Sequence, residues 1–410
     1  MERFVAERLL KSTAKGNGAS APAMRFAYIG IIVAVVIMIL TISVTRAFKA
    51  EITDKITAFT GHWTITDPRQ TDLSGSMPIA FDSELQSLLE RPYIDKVQRY
   101  AQHPAILGKD SCFNGILLKG IAQEYNTEFL QSCMVNGVLP HFTDSAASGE
   151  IVISQALSAL MDIASGDKIS VFIIDRHVSV RRLTVAGIYN SGFESFDNTY
   201  CFTDLNTVQR INAWEPNQIS GIEIYANNRA TFSNYISTAM ELDNLGNRNN
   251  SVYYISTQQE TYSDIFAWLD VLNVNVIVIL VLVIAIAGFT MTSGLLIIIF
   301  EKAHTIGLLK ALGASDRTIR NLFMQMFGRL ALKGIVVGNI IGISIALIQH
   351  WFHIVKLNPA TYYLDAVPAQ IEPGWLLALD AGTVIIMLLI IMLPAWFTKK
   401  ITPVSLLRTE

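Results

Sequence analysis

Four long runs of apolar residues decide most of what this chain can become. Residues 26–45 (FAYIGIIVAVVIMILTISVT) and 271–300 contain no Asp, Glu, Lys or Arg. Residues 334–355 are uncharged apart from His350 and His353, and 374–397 hold a single acid, Asp380. Crossing the hydrocarbon core of a bilayer takes about 20 apolar residues in a helix, and each run is long enough. Charged residues make up only 16% of the chain, against about 25% in ordinary soluble domains. The expected fold class is an α-helical membrane protein with four transmembrane helices and a large α+β domain between helices 1 and 2.

The first run follows Arg25 as a secretory signal would. It exceeds the roughly 7–15 apolar residues of a signal core, and no small-residue cleavage site follows at once, so it reads as an uncleaved anchor. Basic residues then set the orientation. Arg3, Arg8, Lys11, Lys15 and Arg25 precede the first run, and Lys302, Lys310, Arg317, Arg320, Arg329 and Lys333 lie between the second and third. Lys399, Lys400 and Arg408 follow the fourth, whereas 356–373 sets Lys356 against Asp365 and Glu372. The positive-inside rule puts both termini and the 301–333 loop in the cytoplasm and 49–268 outside. Cys112, Cys133 and Cys201 all fall outside, where disulfides persist. An odd number leaves one free, and Cys112–Cys133 is one pairing that the count permits.

The expected boundaries are a cytoplasmic segment at 1–24, spans at 25–48, 269–300, 334–355 and 374–397, and an external domain at 49–268. The 301–333 loop and the 398–410 tail are cytoplasmic, and 356–373 is a short external loop. Residues 1–11 form a short amphipathic helix suited to the inner membrane face, followed by a flexible linker at 12–23. Strands are expected at 62–66, 115–121, 169–174, 180–188 and 219–226, and helices at 81–90, 154–163 and 229–243. The external segment exceeds one typical domain and is expected to split into two lobes. Residues 258–270 are expected to run helically into the second span as a rigid stalk.

The block 301–342 carries the most information. EKAHTIGLLKAL, residues 301–312, is an amphipathic helix that Gly313 ends, because glycine accepts the left-handed conformation. Ser315 caps the next helix, and Asp316 suits its positive end. Gly334, Gly338 and Gly342 make a doubled G-x-x-x-G, which lets helix backbones approach closely in lipid. Packing within the chain and contact with a second subunit both fit that ridge. His350 and His353 have no third ligand nearby, so no metal site is expected. Asp380 is open to two readings, a functional intramembrane acid or a hydrated group near the interface. No G-x-x-x-x-G-K-[ST], H-E-x-x-H or G-x-S-x-G occurs. No catalytic residue is therefore assigned and no cofactor is expected on this chain, and neither is a nucleic-acid partner.

EKAHTIGLLKALGAS resembles the coupling-helix signature of the FtsX/MacB superfamily of ABC transporter permeases. The resemblance implies that Glu301, Ile306, Gly307, Lys310, Leu312, Gly313 and Ala314 meet a separate ABC ATPase dimer, which binds the ATP and Mg. The ending PAWFTKKITPVSLLR is similar to that family's P-A-x-x-A…P-x-x-x-L-R at Pro394, Ala395, Pro403, Leu407 and Arg408, with Phe397 in place of a small residue. Within the superfamily, GEIVISQALSALMDIASGDKISV and LTVAGIYNSGFESFDNTYCFTDLNTVQRI resemble the lipoprotein-releasing (Lol) permeases most.

That likeness implies a bacterial inner-membrane permease with a periplasmic external domain, a second permease subunit, identical or homologous, and a lipoprotein substrate taken from membrane lipids. Acyl chains would then lie between spans one and two, with Met38, Ile42, Phe48, Val274 and Val278 as lining. In the Lol family one permease recruits a periplasmic carrier through a hairpin that here is cut to residues 175–179, which leaves carrier docking open. An FtsX-like signalling permease that regulates a cell-wall hydrolase and a MacB-like efflux permease are the alternatives. The 49–268 segment is longer than the signalling type usually carries.

Overall fold

The computed structural model describes residues 20–69, 77–110, 112–140, 142, 147–174, 178–358, 362, 364 and 366–395. The 1–11 helix, most of the linker after it, and Pro403, Leu407 and Arg408 lie outside the described residues. Contacts divide the chain into two units. One comprises residues 1–50, 268–356 and 366–410, here the membrane unit; the other comprises 51–267 with 357–365, here the external unit. The first helix, α1 (Ser20–Thr60), contributes to both.

In the external unit the order is β1 (Trp63–Thr66), β2 (Ile79–Ala80), α2 (Ser83–Leu89), β3 (Ile94–Lys109), β4 (Cys112–Ile121), α3 (Glu128–Ser132) and β5 (Met134–Gly137). Then follow β6 (Glu150–Ser154), α4 (Gln155–Met161), β7 (Lys168–Ile174), β8 (Val178–Tyr189), α5 (Glu194–Asp197), β9 (Tyr200–Asp204) and α6 (Leu205–Ile211). β10 (Gln218–Ile219), β11 (Gly221–Ala226), α7 (Phe232–Asn249), β12 (Tyr254–Thr257) and α8 (Gln258–Thr261) complete it. The sheet runs β12-β1-β11-β3-β4-β9-β6-β8-β5, and β7 pairs with both β3 and β8. Strands β3, β4, β9, β6, β8 and β7 thereby close into a ring.

The long strand β3 escaped the sequence reading because Pro104 interrupts it and a glutamine, Gln98, occupies a buried position. Its geometry explains the proline. Along one edge β3 pairs with β11 at 94–100 and with β7 at 106–108, leaving a gap between. Gln102 N–H turns to that edge, donating to Ser220 Oγ at 2.7 Å. Residues two apart in a strand point their N–H groups the same way, so the N–H that Pro104 lacks would have faced the gap.

The two faces of the sheet differ in kind. Alternation in β11 sends Ile222 and Ile224 one way and Glu223 and Tyr225 the other. The first pair joins Ile65, Ala101, Leu107, Leu118 and Cys201 in an apolar core that also takes in Leu85, Leu157, Val208 and Leu242 from α2, α4, α6 and α7. On the second face the last turns of α1 meet Lys119, Tyr125 and Tyr225, and Lys119 pairs with Glu223.

Residues 258–270 do not form one continuous stalk helix. Thr257 and Glu260 cap each other in a reciprocal box that starts α8, and Tyr262 breaks the helix at φ −113, ψ 42. The next helix, α9 (Ser263–Glu301), begins after that break.

The membrane unit continues with α10 (Ala303–Ala311), α11 (Asp316–Phe352) and α12 (Pro373–Ala395). Helices α1, α9, α11 and α12 are long and apolar enough to cross a membrane. At 1.5 Å per residue α1 and α9 reach about 60 Å, twice the roughly 30 Å hydrocarbon core. Ile31, Val35, Met38 and Ile39 of α1 pack with Met291 and Leu295 of α9, Phe323, Phe327 and Ile335 of α11, and Met387 of α12.

Candidate functional site

The chain turns sharply twice between α9 and α11, and local sequence explains both turns. Lys302, at φ −98, ψ 13, separates α9 from α10. At the other end Gly313 takes φ +92. Ala314 N–H then bonds Leu309 O at 2.9 Å and Gly313 N–H bonds Lys310 O at 3.0 Å. These are the two hydrogen bonds of a Schellman ending, and they satisfy carbonyls that the helix leaves free. Ser315 starts α11 by accepting from Thr318 N–H at 3.3 Å. Lys310 Nζ bridges the turn to Asp316 Oδ1 at 2.9 Å, with only 11% of the Lys310 side chain exposed.

Packing sorts the residues singled out in this block into two groups. Ile306 and Gly307 are buried, Ile306 within the membrane-unit core at 3% exposure. Ala314 is half-buried against the same core, and Lys310 is engaged in the turn. Glu301, Leu312 and Gly313 face outward, and Leu312 is 78% exposed. Two outward residues that the sequence reading left out as contacts, His304 and Leu308, share that face, Leu308 at 58%. The signal for them was present, since 301, 304, 308 and 312 follow helical spacing. What the hairpin offers a partner is a short helix with Leu308 and Leu312 exposed toward its end and Glu301, the last residue of α9, exposed just before its start.

The glycine ridge has its partner within the chain. A Cβ at Gly334 would lie 2.8 Å from Ile31 Cγ2, one at Gly338 2.8 Å from Val35 Cβ, and one at Gly342 3.1 Å from Ile39 Cδ1. Three glycines on α11 thus take three β-branched residues spaced by four on α1. Gly30, Gly288 and Gly294, which the sequence reading passed over, make similar close contacts with Thr290, Ile390 and the Ala23–Ala27 turn. Asp380 on α12 accepts from Asn339 Nδ2 at 2.6 Å, tying α12 to α11.

The five residues proposed as cavity lining do not share one surface. Met38 and Phe48 are buried, and Phe48 meets the Trp268 ring edge-on at 5.8 Å. Ile42 is half-buried beside Arg46, whose Nη2 donates to both Glu372 carboxylate oxygens at 2.9 and 3.1 Å and whose guanidinium lies 4.6 Å from the centre of the Trp375 ring. Val274 and Val278 are exposed, in a stripe that continues through Val281, Leu282 and Phe289. Such an apolar stripe on a spanning helix suits lipid or another helix.

All three cysteines are free. Cys112 is exposed at the start of β4, Cys133 is half-buried and Cys201 is fully buried. Burial pushes the thiols of Cys133 and Cys201 up. Among the described residues no group of three or more His, Cys, Asp and Glu side chains gathers as metal ligands would, and His353 instead ends α11 at φ +47.

Comparison with known proteins gives two family matches that cover separate parts of the chain. Residues 26–238 match the MacB-like periplasmic core domain, and residues 277–403 match the FtsX-like permease C-terminal model. The lipoprotein-releasing system transmembrane protein LolC of Xylella fastidiosa is 20% identical over 93% of this chain and 92% of its own length. LolE of Haemophilus influenzae is 23% identical over 94% of each. Among solved structures, the periplasmic region of MacB from Actinobacillus actinomycetemcomitans aligns at 15% identity and a TM-score of 0.36, over 50% of this chain and 91% of that one.

Proposed function

Since the chain belongs to the family of FtsX-like permeases with a MacB-like periplasmic core domain, we propose that it is the permease subunit of a complex that extracts lipoproteins from the inner membrane. At the coarser level it is an ABC transporter permease of the FtsX/MacB type, with relatives named for lipoprotein release. The observation that carries the finer reading is the span of those likenesses: they run through both membrane and external regions, over 93–94% of the chain.

In this reading both termini and the α9–α11 hairpin face the cytoplasm and the external unit lies in the periplasm. A separate ATPase binds and hydrolyses ATP and grips the outward residues of the hairpin, namely His304 and Leu308 of α10 with Glu301 before it and Leu312 after it. The exposed stripe of α9 then faces a second permease subunit, with acyl chains entering alongside Val274 and Val278. The buried members of the carried-over set, Ile306, Gly307 and Lys310, act one step back by holding the hairpin in shape.

The test is reconstitution in proteoliposomes with the partner ATPase, any second permease and a triacylated lipoprotein. ATP-dependent appearance of that lipoprotein in the soluble fraction, absent with a hydrolysis-dead ATPase, is the expected result. If ATP turnover proceeds and lipoprotein stays in the bilayer, while a periplasmic hydrolase or efflux adaptor co-purifies, the lipoprotein reading is wrong and one of the other family roles replaces it.

A further inference from the structure

The last turn of α1 is held by an unusual set of donors. A helix leaves its final carbonyls without intrahelical partners and gathers partial negative charge there. Here Ala58 O accepts from Tyr225 Oη at 2.9 Å. Phe59 O accepts from both Lys119 Nζ at 3.1 Å and Tyr125 Oη at 3.2 Å. Lys119 stands on β4, Tyr225 on β11, and Tyr125 just beyond β4. Two side chains on one sheet face and a third from just beyond β4 therefore hold two consecutive carbonyls. Around them Ile52 and Ile56 are fully buried, and the Phe59 ring meets Phe129 at 4.9 Å and Phe196 at 4.8 Å.

The polar part of this arrangement is costly. Lys119 Nζ pairs with Glu223 Oε1 at 2.5 Å, with side chains 5% and 3% exposed. Taking both charges out of water costs free energy that their attraction only partly returns, and well-packed apolar residues often do as well or better. The surroundings add to the cost. Among the described residues Glu223 Oε2 has no hydrogen-bond partner, and Gln98, directly across on β3, is fully buried with neither polar atom bonded. Burial accordingly pushes the Glu223 carboxyl up from its ordinary range, against the pull of Lys119. Stability alone does not account for such a cluster. A directional grip does, because apolar packing lets a helix slide or rotate whereas hydrogen bonds to named carbonyls do not.

We propose that Lys119, oriented by Glu223 and aided by Tyr125 and Tyr225, is a positioning site that locks the last turn of α1 to the external sheet, so that residues 51–60 and the sheet move as one body. It rests on the permease reading only in its consequence, namely that a load carried along α1 reaches β4 and β11 without slip. The lock itself is a local property and is measurable without knowing the substrate.

The experiment is hydrogen exchange on the full complex with its ATPase, comparing wild type with Lys119→Met, Lys119→Met/Glu223→Leu, Lys119→Arg and Tyr125→Phe/Tyr225→Phe. The single Lys119→Met variant leaves Glu223 unpaired and is expected to melt early. The charge-free double variant is expected to recover the wild-type melting temperature while amides 56–61 still exchange roughly tenfold faster, the order of effect that one or two lost hydrogen bonds have on local opening. Lys119→Arg keeps a buried cation and donor and should restore slow exchange. The tyrosine pair, which removes only hydroxyls, should loosen the same amides and no others. A charge-free variant with both wild-type melting and wild-type exchange at 56–61 would overturn the proposal, and so would a tyrosine variant without local loosening. A lock that passes while lipoprotein release fails leaves this inference standing and removes only the substrate reading.

Discussion

Ile306 and Leu312 illustrate what single residues in the α10 hairpin do. In sequence they are alike, two apolar positions on one short amphipathic helix. In the folded chain Ile306 is core and Leu312 is 78% exposed, so a charge placed at each has opposite consequences. Leu312→Asp should leave folding intact and put a carboxylate into the seam that the proposed function assigns to the ATPase. Desolvating it without a partner costs on the order of 2–3 kcal/mol, which lowers association roughly a hundredfold. The variant should insert normally and lose its ATPase on co-purification, whereas Ile306→Asp should lower the melting temperature of the permease itself. Retention of ATPase at wild-type levels by Leu312→Asp would remove α10 from the coupling contact. The stop at Gly313 and the cap at Ser315 were legible because each depends on one residue and its neighbours. The inward turn of Lys310 was not, since its ion pair with Asp316 forms only after the chain has reversed.

Among elements, the glycine ridge of α11 separates pattern from partner. The spacing of Gly334, Gly338 and Gly342 announces a flat strip, and both an internal and an external occupant fit that strip. The structure fills it with Ile31, Val35 and Ile39 of α1. A leucine at Gly338 has no room, because even its Cβ would lie 2.8 Å from Val35 Cβ and 3.2 Å from Ile32 O. Overpacking of this kind typically costs about 1–3 kcal/mol. Gly338→Leu should therefore melt earlier in detergent than wild type. Gly382→Leu, with nothing within 4 Å of the added Cβ, should not. Equal melting of the two variants would mean that the ridge does not bear on α1. The external strands were read in part for a similar reason. Those with plain alternation, such as β11 and β7, announce themselves, while β3 hides behind Pro104 and its buried Gln98 until its two edge partners are known.

For the molecule as a whole, charge placement sets an expected orientation in the membrane, and that expectation is open to a direct check. Cys112 is exposed on the external unit and supplies a native probe. A membrane-impermeant maleimide should modify Cys112 in intact cells. In a Cys112→Ser background, Arg317→Cys, on the exposed start of α11, should react only once the membrane is permeabilised. Cys201 should resist until the protein unfolds, because it is buried and its thiol is held protonated. Labelling of Arg317→Cys but not Cys112 in intact cells would invert the topology.

The sequence by itself determined the four apolar helices long enough to span and the α9–α11 turn, and its charge placement set an expectation for the side of the basic loops. Each depends on hydrophobic run length, net charge along short segments, or the conformational freedom of one residue, all of which are local. Only the tertiary structure decided which helix fills the glycine ridge, that the strand ring closes through β7, and that Lys119 meets Glu223 across 104 positions of chain. Those outcomes depend on surfaces brought together by the fold, and a buried lysine reads in sequence like any lysine on a strand until the helix end it holds is in place.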